Sequence, residues 1–284
     1  MSADLDVVVV DYNAGDHLLR CLKSAYAAAG KAALSVVVVD NASADDSARR
    51  AADEFPKMQL IESPVNRGFA AGANIGIRAT SSPFVFLLNP DAEISSGTFS
   101  GLLKLADGRR RVAAIGTLVR DPDGSLYPSA RRIPSLGEAA GHALLGPFLQ
   151  DNRYSRAYTM AGWDRTSERE VDWVSGSCVL LRRSALDQVG VFDEGYFMYA
   201  EDADLCTRLR EAGWEVLFTP EMEVVHDRGL STRGSRRMIR EHSRSIYRFF
   251  AKHQARGWKR ILLPFAWAVL RARAAIVSRR MTRP

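Results

Sequence analysis

The chain has 284 residues, 46% apolar and 25% charged, a mixture that excludes collagenous, low-complexity and disordered classes and suits one large domain or two modest ones. Its three cysteines, Cys21, Cys178 and Cys206, are widely spaced, which argues against a disulfide scaffold or zinc ribbon and for a reducing compartment. The net charge of +6 is uneven: residues 1–226 carry 23 Lys/Arg against 31 Asp/Glu, and residues 227–284 carry 16 against 2, so a basic tail on an acidic body points to an anionic partner for that tail.

The opening Met1–Asp6 is acidic and runs straight into Val7–Val10. It lacks the basic lead and long apolar stretch of a secretory signal, so export is not expected. Val7–Val10 reads as a strand, and Asp16 as the cap of a helix to Ala29 with Leu18, Leu19 and Leu22 on one face. Leu34–Val39 is a continuous apolar run, the pattern of a strand buried on both faces. Ser43–Asp46 reads as a capping box opening a helix to Glu54, with Asp46 in the place of the usual Glu. Met58–Glu62 is a third strand, Phe69–Ala79 a third helix and Phe84–Leu88 a fourth strand. This alternation predicts an α/β fold with a mostly parallel sheet under helices. Such sheets bind ligands at the carboxyl ends of their strands.

The segments at those ends are Asp11-Tyr12-Asn13, Asp40-Asn41-Ala42-Ser43, Asn66 through Asn74, and Asn89-Pro90-Asp91. All are polar or glycine-rich, and the topology gathers them on one rim. Gly68 and Gly72 are expected to let backbone approach a ligand and to open the third helix, whose N-terminus favours negative charge. Turn formation alone explains any one of these segments, but four on a shared rim favour a site. No Gly-x-Gly-x-x-Gly follows the first strand, and the chain has neither a P-loop nor a Gly-x-Ser-x-Gly. Dinucleotide, P-loop and hydrolase-elbow chemistry therefore lose their main support.

With these rim segments, Trp173-Val-Ser-Gly-Ser-Cys178, Phe192 through Asp204, and His226 through Thr232, the chain resembles the inverting glycosyltransferases of family 2. These have a Rossmann-like, nucleotide-sugar-binding GT-A fold. The motifs span residues 5–232 in the family's order. The resemblance implies a catalytic domain over 1–232, with a nucleotide-binding half (1–91) and an acceptor and catalytic half (92–232), followed by a basic helical tail (233–284). It implies that Tyr12, Asn13 and Asp40 hold the nucleobase and ribose, with Asn66, Gly68 and Asn74 beside them. Asp91 matches the metal-binding carboxylate of the family's Asp-x-Asp motif, although the first acid is Asn89 here. His226 matches a further ligand of a divalent metal, Mg²⁺ or Mn²⁺; the alternative is a satisfied histidine at a strand end. Glu201-Asp202 matches the acidic pair that supplies the catalytic base, assigned to Asp202 with Glu201 as orienter. The plainer alternative is that these acids only favour a helix N-terminus. Trp173 matches an acceptor-side aromatic, or else a core tryptophan.

A narrower resemblance lies in Arg120 through Leu136 and His142 through Phe148. These segments are similar to actinobacterial rhamnosyltransferases, which move L-rhamnose from dTDP-rhamnose to a polyprenyl-diphosphate-linked N-acetylglucosamine during cell-wall arabinogalactan linkage-unit synthesis. Arg131 would then place a guanidinium near a diphosphate; a surface loop is the alternative. Another sugar donor or glycan acceptor, or a non-catalytic nucleotide-sugar-binding scaffold, stays open as a rival, and so does self-association.

In the tail, Arg236, Arg240, Arg244, Arg248, Lys252 and Arg256 recur every fourth residue, a ridge on a helix expected to pack partly on the body. Trp258–Arg280 places Trp258, Ile261, Leu262 and Phe265 at helical spacing between basic ends, with Pro264 at a kink or a start. This is the composition of a helix lying in an anionic membrane interface, here at the cytoplasmic face; the alternative is a solvated basic face whose apolar side packs on the catalytic domain. Ile261–Leu270 holds only ten uncharged residues, so a simple membrane crossing is not expected. No recognisable nucleic-acid-binding motif accompanies the charge. Because the chemistry-bearing motifs end by Thr232, the tail is expected to attach the protein rather than to shape its reaction.

Overall fold

The computed structural model describes residues 4–30, 32–145, 149, 151–227 and 236–280. The first half runs β1 (Leu5–Asp11), α1 (Asp16–Ala28), β2 (Leu34–Asp40), α2 (Ser47–Glu54), β3 (Gln59–Glu62), α3 (Phe69–Arg78) and β4 (Phe84–Leu88). The second half continues with β5 (Ala92–Ile94), α4 (Thr98–Gly108), β6 (Val112–Arg120), the short β7 (Leu126–Tyr127) and β8 (Ala130–Arg131), then α5 (Leu136–Leu145) and α6 (Arg153–Thr159). After these come β9 (Arg169–Glu170), β10 (Trp173–Val174), β11 (Cys178–Arg182), α7 (Arg183–Val189), α8 (Glu201–Glu211) and β12 (Glu215–His226). The tail forms α9 (Arg236–Phe249), a π-helical turn Phe250–Gln254, a 3₁₀ turn Gly257–Leu262 and α10 (Leu263–Arg280).

The main sheet has the order β3-β2-β1-β4-β11-β6-β12-β5. β3, β2, β1 and β4 are all parallel, as the alternation predicts. β11 runs antiparallel to both its neighbours, and β12 returns parallel to β6. The continuous valine run of β1 has a direct cause. Val7 and Val9 pack in one layer with Leu18 and Leu22 of α1, while Val8 and Val10 pack in the other with Ala70 and Ile77 of α3. Each side chain of the strand is therefore buried, whichever face it points to.

Two expected caps are not formed. Asp16 is the first residue of α1, where Gly15 takes the cap position, and its carboxylate pairs with Arg50 at 2.6 Å. The Ser43–Asp46 capping box is also absent. α2 starts at Ser47 without a side-chain cap, because the Ser43 hydroxyl accepts from the Asn13 amide at 3.0 Å. That serine binds the β1 turn to the β2 turn instead.

The glycines of α3 serve packing rather than a ligand. A Cβ on Gly72 would lie 2.7 Å from Val10 Cγ1, and one on Gly76 would lie 2.3 Å from Val8 Cγ1, so both let α3 sit close on β1. Gly68 has a φ of +90°, and a Cβ there would meet the Phe197 carbonyl oxygen at 2.0 Å. The close approach at Gly68 is to the loop before α8.

The tail lies on the body. Asp204, fully buried in α8, accepts from Arg208 Nε (2.8 Å) and His253 Nε2 (2.7 Å) and pairs with Lys252 Nζ at 2.7 Å. Burial alone would raise its carboxyl, but these three partners outweigh burial and hold it far below the usual range. Asp193 takes Arg248 and Lys252, and Glu211 takes Arg256. Half of the basic ridge thus neutralises acids of the body, as partial packing requires. Beyond it, Trp258 (74%), Ile261 (78%) and Phe265 (65%) are exposed. Contrary to the ten-residue count, Gly257–Ser278 is long and apolar enough to cross a membrane by length and composition. The difference is that the 18 residues 261–278 within it include only two charged side chains, Arg271 and Arg273.

Candidate functional site

Two joined cavities open at the carboxyl rim of the sheet. The smaller is a cleft lined by Tyr12, Asn13, Asn41, Asn66 and Gly68, among others. Asn13 adopts a left-handed φ of 55°, stabilised because its side-chain oxygen accepts from the Ala44 amide at 2.6 Å. The turn is anchored beneath by Asp11, which is fully buried and accepts from Ser47 Oγ at 2.6 Å. Burial pushes its carboxyl up to about 6. Asp40 stands opposite Asp11 in the β1–β2 register, and its carboxylate accepts from the Ser43 amide at 2.9 Å; it is not among the residues lining the cleft. Asn66 accepts from the Gly68 amide at 2.9 Å and from Asn41 Nδ2 at 3.2 Å, which fixes the rim of α3.

Asn74 does not join this cleft. It is fully buried. Its amide donates to the Phe192 carbonyl (2.9 Å) and to Glu194 (3.0 Å), and its oxygen accepts from the Phe192 amide (3.0 Å). With these bonds made, Asn74 clamps α3 to the segment leading to α8 and does not present itself to a ligand.

Asn89, Asp91, Phe69 and Met198 line both cavities and mark their junction. His226, the last residue of β12, is paired in register with Ala92 of β5. That pairing brings two segments distant in sequence together: His226 Nε2 lies 2.8 Å from Asp91 Oδ1 and 3.2 Å from Asn89 Nδ2. His226 Nδ1 is buried without a hydrogen-bond partner among the described residues. One carboxylate and one imidazole nitrogen converge here, and no group of three or more His, Cys, Asp or Glu does so among the described residues. This donor set is too small for an all-protein cage. It fits a hard divalent ion that completes its shell with phosphate oxygens and water.

The larger cavity has a volume of about 470 Å³. Glu201 and Asp202 reach it from the N-terminus of α8, just after Tyr199 (φ 72°) and Ala200 (φ 63°). Two consecutive non-glycine residues in the left-handed region store strain. The loop is held there by the Phe69 amide donating to the Phe197 carbonyl (2.8 Å) and by Ser245 of α9 donating to the Met198 carbonyl (2.8 Å). The Tyr196–Tyr199 aromatic run is thus the part of the site that the tail supports.

The two carboxyls differ. Asp202 accepts from the Gly176 amide (3.1 Å) and from the Ala203 amide (2.8 Å). Burial raises its pKa, while these amides and Arg131 act in the opposite sense. Glu201 is more buried, has one oxygen without any partner among the described residues, and is pushed well above the ordinary range by burial and by Asp202. Burial acts on both carboxyls and more strongly on Glu201, which favours the proton on Glu201 and the charge on Asp202.

Arg131 of β8 stands opposite Trp173 of β10. Its guanidinium donates to Tyr158 OH (3.0 Å), Tyr127 OH (2.7 Å) and the Pro128 carbonyl (2.7 Å), and lies 5.1 Å from the Trp173 ring centre. Arg131 and Trp173 therefore belong to one aromatic-walled cage within the larger cavity. The opposite expectation for the tail is corrected here. His242, Ile246, Phe249 and Phe250 of the α9 region and Ala266, Val269, Leu270 and Arg273 of α10 line the same cavity. The tail is a wall of this cavity. Sequence reasoning missed these residues because their only local signal was helical spacing. Of the quoted motifs, residues 146–148 and 228–232 lie outside the described residues.

A family model described as "Glycosyltransferase like family 2" matches residues 3–248. The chain is 39% identical over 295 aligned positions, covering all of it and 94% of the relative, to the N-acetylglucosaminyl-diphospho-decaprenol L-rhamnosyltransferase of Mycobacterium tuberculosis (strain ATCC 25618 / H37Rv). It is 29% identical to the rhamnosyltransferase WbbL of Escherichia coli (strain K12), over 65% of this chain and 70% of that protein. Among solved structures, the mannosyltransferase PcManGT from Pyrobaculum calidifontis, in complex with GDP-Man and Mn²⁺, is similar with a TM-score of 0.62 at 20% identity, covering 98% of this chain and 76% of that one. GalNAc-T7 with UDP, GalNAc and Mn²⁺ gives a TM-score of 0.59 at 16% identity, over 86% and 48% of the two chains. The fold is GT-A, and the chain belongs to glycosyltransferase family 2.

Proposed function

We propose that this family-2 glycosyltransferase moves L-rhamnose from dTDP-rhamnose to the N-acetylglucosamine of a polyprenyl-diphosphate lipid, with inversion, at the cytoplasmic face of the membrane. The observation that carries this reading is the full-length 39% identity to a protein named for that transfer. The 470 Å³ cavity, walled largely by apolar side chains and joined to the cleft at Asp91, supports an acceptor with an apolar chain. The body over 1–232 would carry the chemistry, with the 233–284 tail completing its acceptor side.

In this reading dTDP lies in the cleft against Tyr12, Asn13 and Asn66, with its diphosphate at the junction. Asp91 and His226 would hold Mg²⁺ or Mn²⁺, which when bound offsets the charge growing on the departing nucleoside diphosphate. The acceptor hydroxyl oxygen bonds to the anomeric carbon as the bond from that carbon to the β-phosphate oxygen breaks. Asp202 takes the hydroxyl proton in the same step. Glu201, the more strongly raised of the pair, would keep the proton and leave Asp202 without a second negative charge beside it, and the Arg131 cage packs the acceptor side. A panel of nucleotide sugars tested with a short-chain polyprenyl-diphosphate N-acetylglucosamine should give dTDP release and an α-rhamnoside only with dTDP-rhamnose. Transfer only from UDP-glucose or UDP-galactose would reject the rhamnose assignment and leave the reaction class standing.

The membrane attachment rests on the exposed Trp258, Ile261 and Phe265 beside Lys259 and Arg260. Burying each such side chain contributes about 1.5–3 kcal/mol, and each cation near an anionic surface about 1 kcal/mol. The triple variant W258E/I261E/F265E should lower the fraction sedimenting with phosphatidylglycerol-containing liposomes at least about tenfold, with unchanged dTDP affinity. Equal sedimentation would remove this surface from the attachment.

A further inference from the structure

Arg273 is the one tail cation that faces the acceptor cavity among the residues lining it. It lies on the same face of α10 as Ala266, Val269 and Leu270, one helical turn apart from Leu270. The side chain is half-buried, and it makes no hydrogen bond or ion pair among the described residues. Arg248, Lys252 and Arg256, which also join tail to body, each have a carboxylate partner. A guanidinium withdrawn from water without an anion is costly, and burial does disfavour its charged form here.

Its surroundings are cationic or neutral. Arg131 shares the cavity, and both guanidiniums act on Tyr158, His142 and His242. Burial and these two cations lower both imidazoles, His242 to about 3, so the histidines add no competing charge and remain hydrogen-bonding groups. Three N–H groups of Arg131 are spent on Tyr158, Tyr127 and the Pro128 carbonyl, which leaves two of its five unspent. Of the carboxyls lining the cavity, Asp91 is bonded to His226, Asp202 accepts from backbone amides and acts on Arg131 rather than on Arg273, and Glu201 is pushed toward its protonated form by burial and by Asp202. The cavity therefore combines an apolar wall with two guanidiniums, of which Arg273 has no carboxylate partner among the described residues.

The geometry points to Arg273 as a recognition residue that, across the cavity from the Arg131 cage, takes the diphosphate of an isoprenoid-linked acceptor whose chain lies along the Ala266–Leu270 face of α10. This rests on the acceptor class proposed above and goes beyond it by assigning acceptor recognition to the C-terminal helix. Two guanidiniums suit a group with several anionic oxygens, and the apolar face beside Arg273 suits the chain that the diphosphate carries. The exposed end of the same tail segment, at Trp258 and Phe265, then sits where such a chain would enter from a membrane.

The test uses the full chain with Mg²⁺ and saturating dTDP, so that the nucleotide cleft is filled, and measures binding of farnesyl diphosphate, farnesol and inorganic pyrophosphate. Wild-type protein should bind farnesyl diphosphate at least about tenfold more tightly than either of the other two. Arg273→Gln should weaken farnesyl diphosphate about ten- to hundredfold, the range of a lost charged hydrogen bond, with farnesol and dTDP unchanged; Arg273→Lys should recover part of the loss. Equal weakening of farnesol, or a loss of dTDP affinity, would assign Arg273 to packing or to the donor and overturn the inference. No preference for farnesyl diphosphate by the wild type would overturn it too. A wild type that binds farnesyl diphosphate as expected but transfers no sugar to the diphosphate-linked acceptor would instead sink the proposed reaction and leave the Arg273 site standing.

Discussion

Asp202→Asn should lower transfer by about 10²–10⁴-fold, the usual contribution of a positioned general base, while dTDP affinity stays within a few fold. The amide preserves the shape of the side chain, and an oxygen remains to accept from the Gly176 amide, which lies 3.1 Å from the carboxylate in the wild type. What is lost is the capacity to take the acceptor's proton. The pH profile adds a readout specific to this role. Burial raises the Asp202 pKa, and the base works only when ionised, so wild-type kcat/KM should fall as pH drops through a value above the ordinary aspartate range. That acidic limb should vanish in the residual activity of Asp202→Asn. Near-normal turnover by the purified variant would move the base to Glu201, whose buried, unpartnered oxygen makes it the next group in reach.

Asp91→Ala should abolish both turnover and the metal-dependent part of dTDP binding. Asp91 and His226 are the two side chains that converge on the junction, 2.8 Å apart, and no third His, Cys, Asp or Glu joins them among the described residues. With Asp91 and His226 as the proposed donors, removing one of the two should weaken metal binding by at least the roughly 10–100-fold that loss of an outer partner of a metal ligand costs. The measurement is a dTDP titration with Mg²⁺, with Mn²⁺ and with chelator. Wild-type affinity should rise on adding metal, and the variant should give one low affinity under all three conditions. A variant whose dTDP affinity still rises with metal would take Asp91 out of this role. The fold control is independent of the site, since the Asp227 amide bonds to the backbone oxygen of Asp91 and not to its side chain.

What the sequence determined by itself was the first half of the fold, β1 through β4. The apolar runs of β1 and β2, the helix between them and the polar segments after each strand are local patterns, and a parallel sheet necessarily gathers those segments on one rim. The same locality placed Tyr12, Asn13, Asn66 and Asp91 on that rim, and all four line the cleft. Residue type alone did not say which side chains would be used up inside the protein. Asn74 looks like a rim amide but spends its hydrogen bonds on Phe192 and Glu194, 118 and 120 residues away, and Gly68 makes room for the backbone of Phe197. Only the tertiary structure decided these, because burial and long-range partners leave no trace in short-range spacing. It also decided the tail. Spacing favoured partial packing for the period-four arginines and a membrane face for the apolar helix, with a packed side as its alternative. The packing is seen in where the partners stand: Asp193 and Asp204 neutralise Arg248 and Lys252, and residues of α9 and α10 line the cavity that Asp202 enters.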